Sequence, residues 1–312
     1  MLESSCRMEG KISIVTGANS GIGYQTALGL ARMAGAVVMV CRNKERAERA
    51  RREIIRLSGN RSIDLMIADI SSQNDVIHLA RMYKEKYKRL DVLINNAGIS
   101  VDKRQESVDG YELVFATNYL GPYLLTNLLL DTLETSAPSR IVNVSSFVHK
   151  MVQGIDFDDL DRRRGRFSAM QVYSESKLAM LMYSYELAKR LEGTGISVNA
   201  LNPGLVNTNL GNSYAGFMKV NALVMKTLFG ISAEKGARTS IYLASSPEVA
   251  GVTGKYFEKC REKETTKASY NTRDWEKLWE ISEAMTEKAR ERAVQKPKIQ
   301  PIIAMPDTSP HT

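Results

Sequence analysis

Tyr173 and Lys177 stand four residues apart in the segment Tyr-Ser-Glu-Ser-Lys. On a helix this spacing puts both side chains on one face. A lysine ammonium beside a phenol favours the phenolate, which suits a tyrosine to giving and taking a proton near neutral pH. Such a pair alone is common on solvated helix surfaces. Ser146 adds weight, because it closes an apolar run in Val-Asn-Val-Ser-Ser. A hydroxyl at a strand end is placed to hold a carbonyl oxygen beside the phenol. The chemistry is proton transfer to or from an oxygen at a carbonyl or alcohol carbon.

A second group of residues has the types that hold phosphate. Thr16-Gly-Ala-Asn-Ser-Gly-Ile-Gly23 lies between a short apolar run and a helical pattern. Gly17 permits a sharp turn, Gly21 removes a side chain where a pyrophosphate would approach, and Gly23 lets the helix lie close to the strand. The helix start then offers free N–H groups to phosphate, with Asn19, Ser20 and Ile22 on the same loop. Arg42 follows the second apolar run. An acid there would bind a ribose 2′-OH and favour NAD; an arginine favours the 2′-phosphate of NADP. The expected cofactor is therefore NADP, with NADPH preferred over NADH. Asp69, followed by Ile70, either accepts from an adenine amino group or caps the next helix. Asn95-Asn96-Ala97-Gly98 offers amide and small residues, and Asn96, Ala97 and Gly98 would form a backbone wall beside the cofactor.

These residues need a scaffold that brings strand ends together. Apolar, β-branched runs at 11–16, 36–41, 62–68, 90–94, 140–144, 196–201 and 254–257 read as strands. Helical patterns at 22–33, 44–57, 73–87, 111–133, 172–191 and 233–244 separate them, the fourth bent near Gly121-Pro122. Such alternation predicts an α/β fold: one doubly wound, Rossmann-type parallel sheet with helices on both faces. Ligands bind outside the carboxyl ends of such strands, and the polar motifs all follow strand ends. We expect a dinucleotide-binding oxidoreductase domain at 9–258, a C-terminal helical appendage at 259–294 and a disordered tail at 295–312. Trp275, Leu278, Trp279, Ser282 and Met285 form one stripe of the appended helix and are expected to dock on the main domain.

Composition narrows the classes. The chain has 312 residues, 43% hydrophobic and 25% charged, the balance of a globular protein. Its net charge of 43 − 35 = +8 is too modest to argue for nucleic acid. Cys6, Cys41 and Cys260 are too few and too scattered for a disulfide framework. His78, His149 and His311 show no metal-site spacing, and no metal is expected. His149, three residues after Ser146, is either within reach of the site or an ordinary loop histidine. Asp156, Asp158, Asp159 and Asp161 precede Arg162-Arg-Arg164 and read as a solvated mixed-charge loop. The first residues hold no apolar stretch of signal-peptide length, and no run approaches the ~18 apolar residues of a membrane span. A cytoplasmic protein is expected, with peripheral membrane contact left open.

Taken in order, Thr-Gly-Ala-Asn-Ser-Gly-Ile-Gly, Asn-Asn-Ala-Gly, Asn118, Val-Asn-Val-Ser-Ser, Tyr-Ser-Glu-Ser-Lys and Asn-Pro-Gly resemble the short-chain dehydrogenase/reductase family over about residues 9–258. The resemblance implies that Tyr173 is the proton donor or acceptor. It implies that Lys177 binds the nicotinamide ribose and tunes Tyr173, and that Ser146 rather than Ser145 orients the substrate oxygen. Asn118 would complete a proton relay through a water near Lys177. Pro203, Gly204, Val206 and Thr208 match the stretch that contacts nicotinamide and its phosphates. The helices at 111–133 and 172–191 pair subunits in many relatives, so a homo-oligomer is one option. Cys41-Arg42, Ser-Ile-Tyr-Leu-Ala at 240–244 and Gly-Lys-Tyr-Phe-Glu-Lys-Cys at 254–260 are similar to the retinol dehydrogenase-like branch.

Between Gly204 and Ala233 the chain is apolar, with Leu210, Phe217, Met218, Met225 and Phe229 among its residues. It reads either as a lid over a pocket for a lipophilic substrate or as a helix that packs on the core. The leading expectation is an NADP(H)-dependent oxidoreductase acting on a lipophilic aldehyde, ketone or alcohol, retinal and retinol among them. A steroid or other ketone reductase of the same family, or a non-catalytic NADP-sensing scaffold, are the alternatives.

Overall fold

The computed structural model describes residues 7–206 and 231–294. Thr208, the apolar stretch from Leu210 to Phe229, and the tail from Gln295 lie outside the described residues. In chain order the elements are β1 Ile12–Thr16, α1 Gly21–Arg32, β2 Ala36–Cys41, α2 Lys44–Ser58, β3 Ile63–Ile67, α3 Gln73–Lys86 and β4 Val92–Asn95. There follow α4 Leu113–Thr135, β5 Ser139–Val144, α5 Ala169–Arg190, β6 Ile196–Asn202, α6 Ala233–Ser245, β7 Lys255–Glu258, β8 Arg261–Lys263 and α7 Thr272–Val294.

The sheet order is β3-β2-β1-β4-β5-β6-β7-β8. From β3 to β7 every pairing is parallel. Strands such as Val37–Cys41 are buried along their length, as a sheet covered on both faces requires. Chain order reverses between β1 and β4, the topological switch point where such sheets bind ligands. β8 pairs antiparallel with β7. The sequence reading missed it, because its residues Arg-Glu-Lys are exposed on an edge and carry no apolar pattern.

α4 has its irregularity beside Gly121-Pro122, where the sequence reading expected a bend. It runs on from 113 to 135 through one wide π turn over Ala116–Leu120. Pro122 has no N–H for the Asn118 carbonyl four residues back. The Gly121 N–H instead bonds to Ala116 O, five residues back. Gly121 also lies so close to Ile70 that a Cβ would overlap the Ile70 carbonyl oxygen. By length and composition α4 is apolar enough to cross a membrane, yet 78% of its most apolar window is buried within the fold. It is a core helix.

α7 packs on α3, α4 and α5. Its Trp279 stacks against Tyr183 at 5.9 Å and meets Tyr123 edge-on at 5.4 Å. Arg190 caps the indole, its guanidinium carbon 4.0 Å from the ring centre. Ser282 is buried and shares a 2.7 Å hydrogen bond with the Tyr119 hydroxyl. Gln73 and Tyr111 both donate to the Met285 carbonyl, each at 2.9 Å. α4 and α5 thus each present a face to α7 of their own chain.

Candidate active site

The glycine loop is held in place by threonine and asparagine. Thr16 Oγ1 accepts from Asn96 N and Ala97 N, both at 2.9 Å, and Asn96 Nδ2 donates to Thr16 O at 2.7 Å. These bonds tie the end of β1 to the end of β4 across the switch point. Gly17 has φ +68° and Gly21 φ +55°, values that disfavour a side chain. At Gly23 a Cβ would overlap the Gly17 carbonyl and the Asn96 amide. Asn43, Ser72, Ser168 and Ser232 each cap their helix with a side-chain bond. Ser20 makes no such bond to α1. The start of α1 is therefore a helix N-terminus that its cap side chain leaves open, beside the loop that a phosphate would approach.

Along the rim lie Arg42 and Asp69. The Arg42 side chain is 70% exposed, and its Nη1 is 3.2 Å from Asp69 Oδ2. Asp69 Oδ1 accepts from Ser71 N at 2.9 Å and Ser71 Oγ at 2.7 Å. Burial opposes the Asp69 charge, but the bonds from Ser71 and the Arg42 guanidinium outweigh it and hold the carboxyl below its ordinary range. Asp69 thus shapes the turn before α3, and Ser72 is the cap. Ile70 is buried against Gly121. Val206 is buried and bridged to Ile231. Gly204, at φ +86°, donates to Asn202 Oδ1 beyond the end of β6, with Pro203 before it.

At the centre, α5 carries Tyr173 and Lys177. The helix begins at Ala169, three residues before the sequence reading, because Ser168 accepts from Gln171 N. Lys177 Nζ donates to the Val144 carbonyl at 2.9 Å and lies 5.7 Å from the centre of the Tyr173 ring. Gly98 lies against it: a Cβ there would sit 3.4 Å from Lys177 Nζ and 3.3 Å from Asn118 Oδ1. Burial pushes the Lys177 pKa down from 10.5 to about 8. The ion pairs among the described residues do not include Lys177, so its charge has no carboxylate at hand. Tyr173 is half-buried beside Ile99, Val101, Val114, Phe167 and Val172, an apolar setting.

Asn118 sits in the π turn. Its side chain accepts from Ile99 N at 2.8 Å and donates to Ile99 O and Ser176 Oγ, both at 3.0 Å. Ser176 in turn donates to Tyr173 O at 2.7 Å. Ser145 Oγ donates to Lys177 O at 2.8 Å, clamping β5 to α5. Ser146 Oγ accepts from Val148 N at 3.4 Å, and among the described residues its own hydrogen is uncommitted. The sequence reading missed Thr16, Ser176 and the Val144 carbonyl, since side chains that bind backbone leave no spacing signal. His78 is exposed on α3. Asp156, Asp159 and Asp161 are engaged by Arg162, Arg163 and Arg164, through side chains or backbone N–H groups.

These residues suit a dinucleotide: an uncapped helix start, an exposed arginine just past the second strand, and a buried ammonium beside a phenol. A short chain dehydrogenase family model matches residues 11–157 and 162–217. Retinol dehydrogenase 14 of Homo sapiens is 43% identical over 293 residues, covering 89% of this chain and 87% of that protein. Retinol dehydrogenase 13 of Homo sapiens is 39% identical, covering 88% and 84%. Among solved structures, a Mycobacterium paratuberculosis protein is 29% identical with TM-score 0.73, covering 92% and 97%. RhlG of Pseudomonas aeruginosa, in an active-site complex with NADP, is 28% identical with TM-score 0.64, covering 80% and 95%. The chain belongs to the short-chain dehydrogenase/reductase family, in its retinol dehydrogenase-like branch, and is an oxidoreductase.

Proposed function

We propose that the protein is an NADP(H)-dependent oxidoreductase for a lipophilic aldehyde, ketone or alcohol, working in the reductive direction. The observation that carries this reading is Lys177, a buried ammonium held by the Val144 carbonyl under the Tyr173 ring. A lysine so desolvated is poor design for stability and good design for holding a neighbouring hydroxyl or phenol. The exposed Arg42 guanidinium supports NADP over NAD, and RhlG, a relative, is seen with NADP. The names of the retinol dehydrogenases, and the apolar residues around Tyr173, support a lipophilic substrate.

In this reading the loop residues Gly17, Asn19, Ser20, Gly21, Ile22 and Gly23 hold the pyrophosphate at α1. Arg42 binds the 2′-phosphate, and Asp69 and Ile70 flank the adenine. Asn96, Ala97 and Gly98 would back the cofactor, with Pro203, Gly204 and Val206 toward its nicotinamide. The cofactor, when bound, supplies the hydride. Ser146 Oγ–H holds the substrate carbonyl oxygen, and Tyr173 gives that oxygen its proton, so carbonyl, hydride and proton make the alcohol. Lys177 favours the phenolate that Tyr173 becomes. The Asn118 carbonyl, which Pro122 cannot serve, would complete a proton relay through a water near Lys177. We read residues 9–258 as the cofactor-binding domain and 259–294 as its appendage.

The test is loss of the near-ultraviolet absorbance of NADPH over a panel of retinal, medium-chain aldehydes and steroid ketones. Turnover with NADPH above NADH is expected, strongest with a lipophilic aldehyde. Tight NADPH binding without turnover of any panel member would overturn the reading.

A further inference from the structure

His149 has no role in the chemistry above, yet it touches Ser146 twice. It lies on the 3-10 turn Phe147–Met151, which Ser146 caps. It is fully buried. Its backbone N–H donates to Ser146 O at 3.3 Å, and its Nδ1 is 2.6 Å from the same oxygen. A carbonyl oxygen only accepts, so Nδ1 must carry the hydrogen. Burial depresses the basicity of the ring, which favours the neutral form. Nε2 is then a bare acceptor, and among the described residues it has no hydrogen-bond partner.

That orphan acceptor is informative. The ring packs edge-on against buried Tyr256 of β7, with centres 5.4 Å apart at 77°. A phenylalanine would make the same aromatic contact; it would lose the Nδ1–H bond to Ser146 O, which keeps its bond from the His149 backbone N–H, and in exchange would remove the unpaired buried lone pair, so stability alone does not call for histidine. What histidine adds is one N–H aimed at the Ser146 peptide. Ser146 holds extended angles of φ −163° and ψ 156°, and its Oγ accepts from Val148 N within the same turn. Fixing the Ser146 carbonyl fixes the peptide that follows it, and with it the turn whose Val148 N–H holds the Ser146 Oγ in place.

We propose that His149 is a positioning residue: its Nδ1–H, braced by Tyr256, locks the Ser146 turn so that Ser146 Oγ faces the substrate oxygen. The proposal rests on the reading of Ser146 given under the function. It predicts that stability and turnover separate.

The experiment compares the full chain with His149→Phe and His149→Asn. Asparagine can place an amide N–H near the position of Nδ1. For His149→Phe the expected result is a kcat lower by about tenfold or more, somewhat below the ~100-fold loss of a donor that touches the reacting oxygen itself. NADPH affinity and thermal midpoint should equal or exceed those of the parent. His149→Asn should recover most of the kcat. A His149→Phe kcat within twofold of the parent would overturn the proposal, as would a His149→Asn enzyme that folds but is no more active than His149→Phe. So would a fall in NADPH affinity and melting temperature in step with kcat. Hydrogen exchange over residues 145–151 of the NADPH-bound protein gives a readout that needs no turnover. Exchange should rise in His149→Phe and return in His149→Asn, and unchanged exchange refutes the lock. A parent that turns over no carbonyl would therefore count against the function, while the exchange result still decides His149.

Discussion

Arg42 and Asp69 join the ends of neighbouring strands: Nη1 of one lies 3.2 Å from Oδ2 of the other, across the rim of the sheet. The pair holds Arg42 near β3 while its side chain stays largely exposed. Arg42→Asp sets two carboxylates side by side and removes the phosphate partner. The NADPH-to-NADH ratio of kcat/KM should fall by about 10- to 100-fold, the value of a charge-assisted hydrogen bond. Steady-state kinetics with both cofactors check this, and an unchanged ratio refutes the role of Arg42.

Tyr173→Phe keeps the ring in its apolar setting and removes only the hydroxyl. Turnover should drop at least about 100-fold, the range of lost acid–base catalysis, while NADPH still binds. Fluorescence titration of NADPH beside turnover separates the two effects. Near-parental turnover would remove Tyr173 from the mechanism.

Lys177 makes a stability prediction with a definite sign. Its folded pKa, about 8, lies below the 10.5 of the free side chain. Between those values the unfolded chain binds more protons, so stability rises with pH across that window. The penalty present below pH 8 is roughly 3 kcal/mol for a shift of this size. Lys177→Met lacks it. The variant should therefore melt above the parent at neutral pH, with the gap closing as pH rises past 8, while its turnover is lost. Melting curves of the cofactor-free proteins across pH would show otherwise if the gap were flat.

Gly23→Ala should abolish NADPH binding and lower the melting temperature together. The new Cβ would overlap the Gly17 carbonyl, so α1 or the loop must move. Calorimetric titration with NADPH tests it, and unaltered affinity would contradict the packing.

Trp279→Ala removes the ring that Tyr123, Tyr183 and Arg190 surround. A loss of roughly 3–5 kcal/mol is expected, as for other large aromatic truncations. Urea unfolding measures it, and a loss under 1 kcal/mol would show that α7 is a loose attachment.

The sequence was most legible where one residue type serves one geometric need. Gly17, Gly21 and Gly23 announced a loop against a helix start, and long apolar runs such as Val37–Cys41 announced buried parallel strands. The α5 spacing of Tyr173 and Lys177 placed them together, as the 5.7 Å approach of Nζ to the ring shows. Less legible was anything decided by backbone partners. The π turn lies beside Pro122, which the sequence displays, and beside the close approach of Gly121 to Ile70, which is a tertiary fact. β8 was hidden because an exposed edge strand needs no apolar residues. His149 was ambiguous because its neighbour in space, Tyr256, is far away in sequence.

The placement of α7 bears on the order in which the protein is made. α4 and α5, which carry Asn118, Tyr173 and Lys177, are complete long before residues 272–294 leave the ribosome. Until then Tyr119, Tyr123 and Tyr183 have no indole or serine from α7 to cover them. The scaffold of the site is finished by the last helix of the described chain. A nascent protein whose α7 is not yet made therefore lacks the cover that the finished fold lays over this aromatic side of its core.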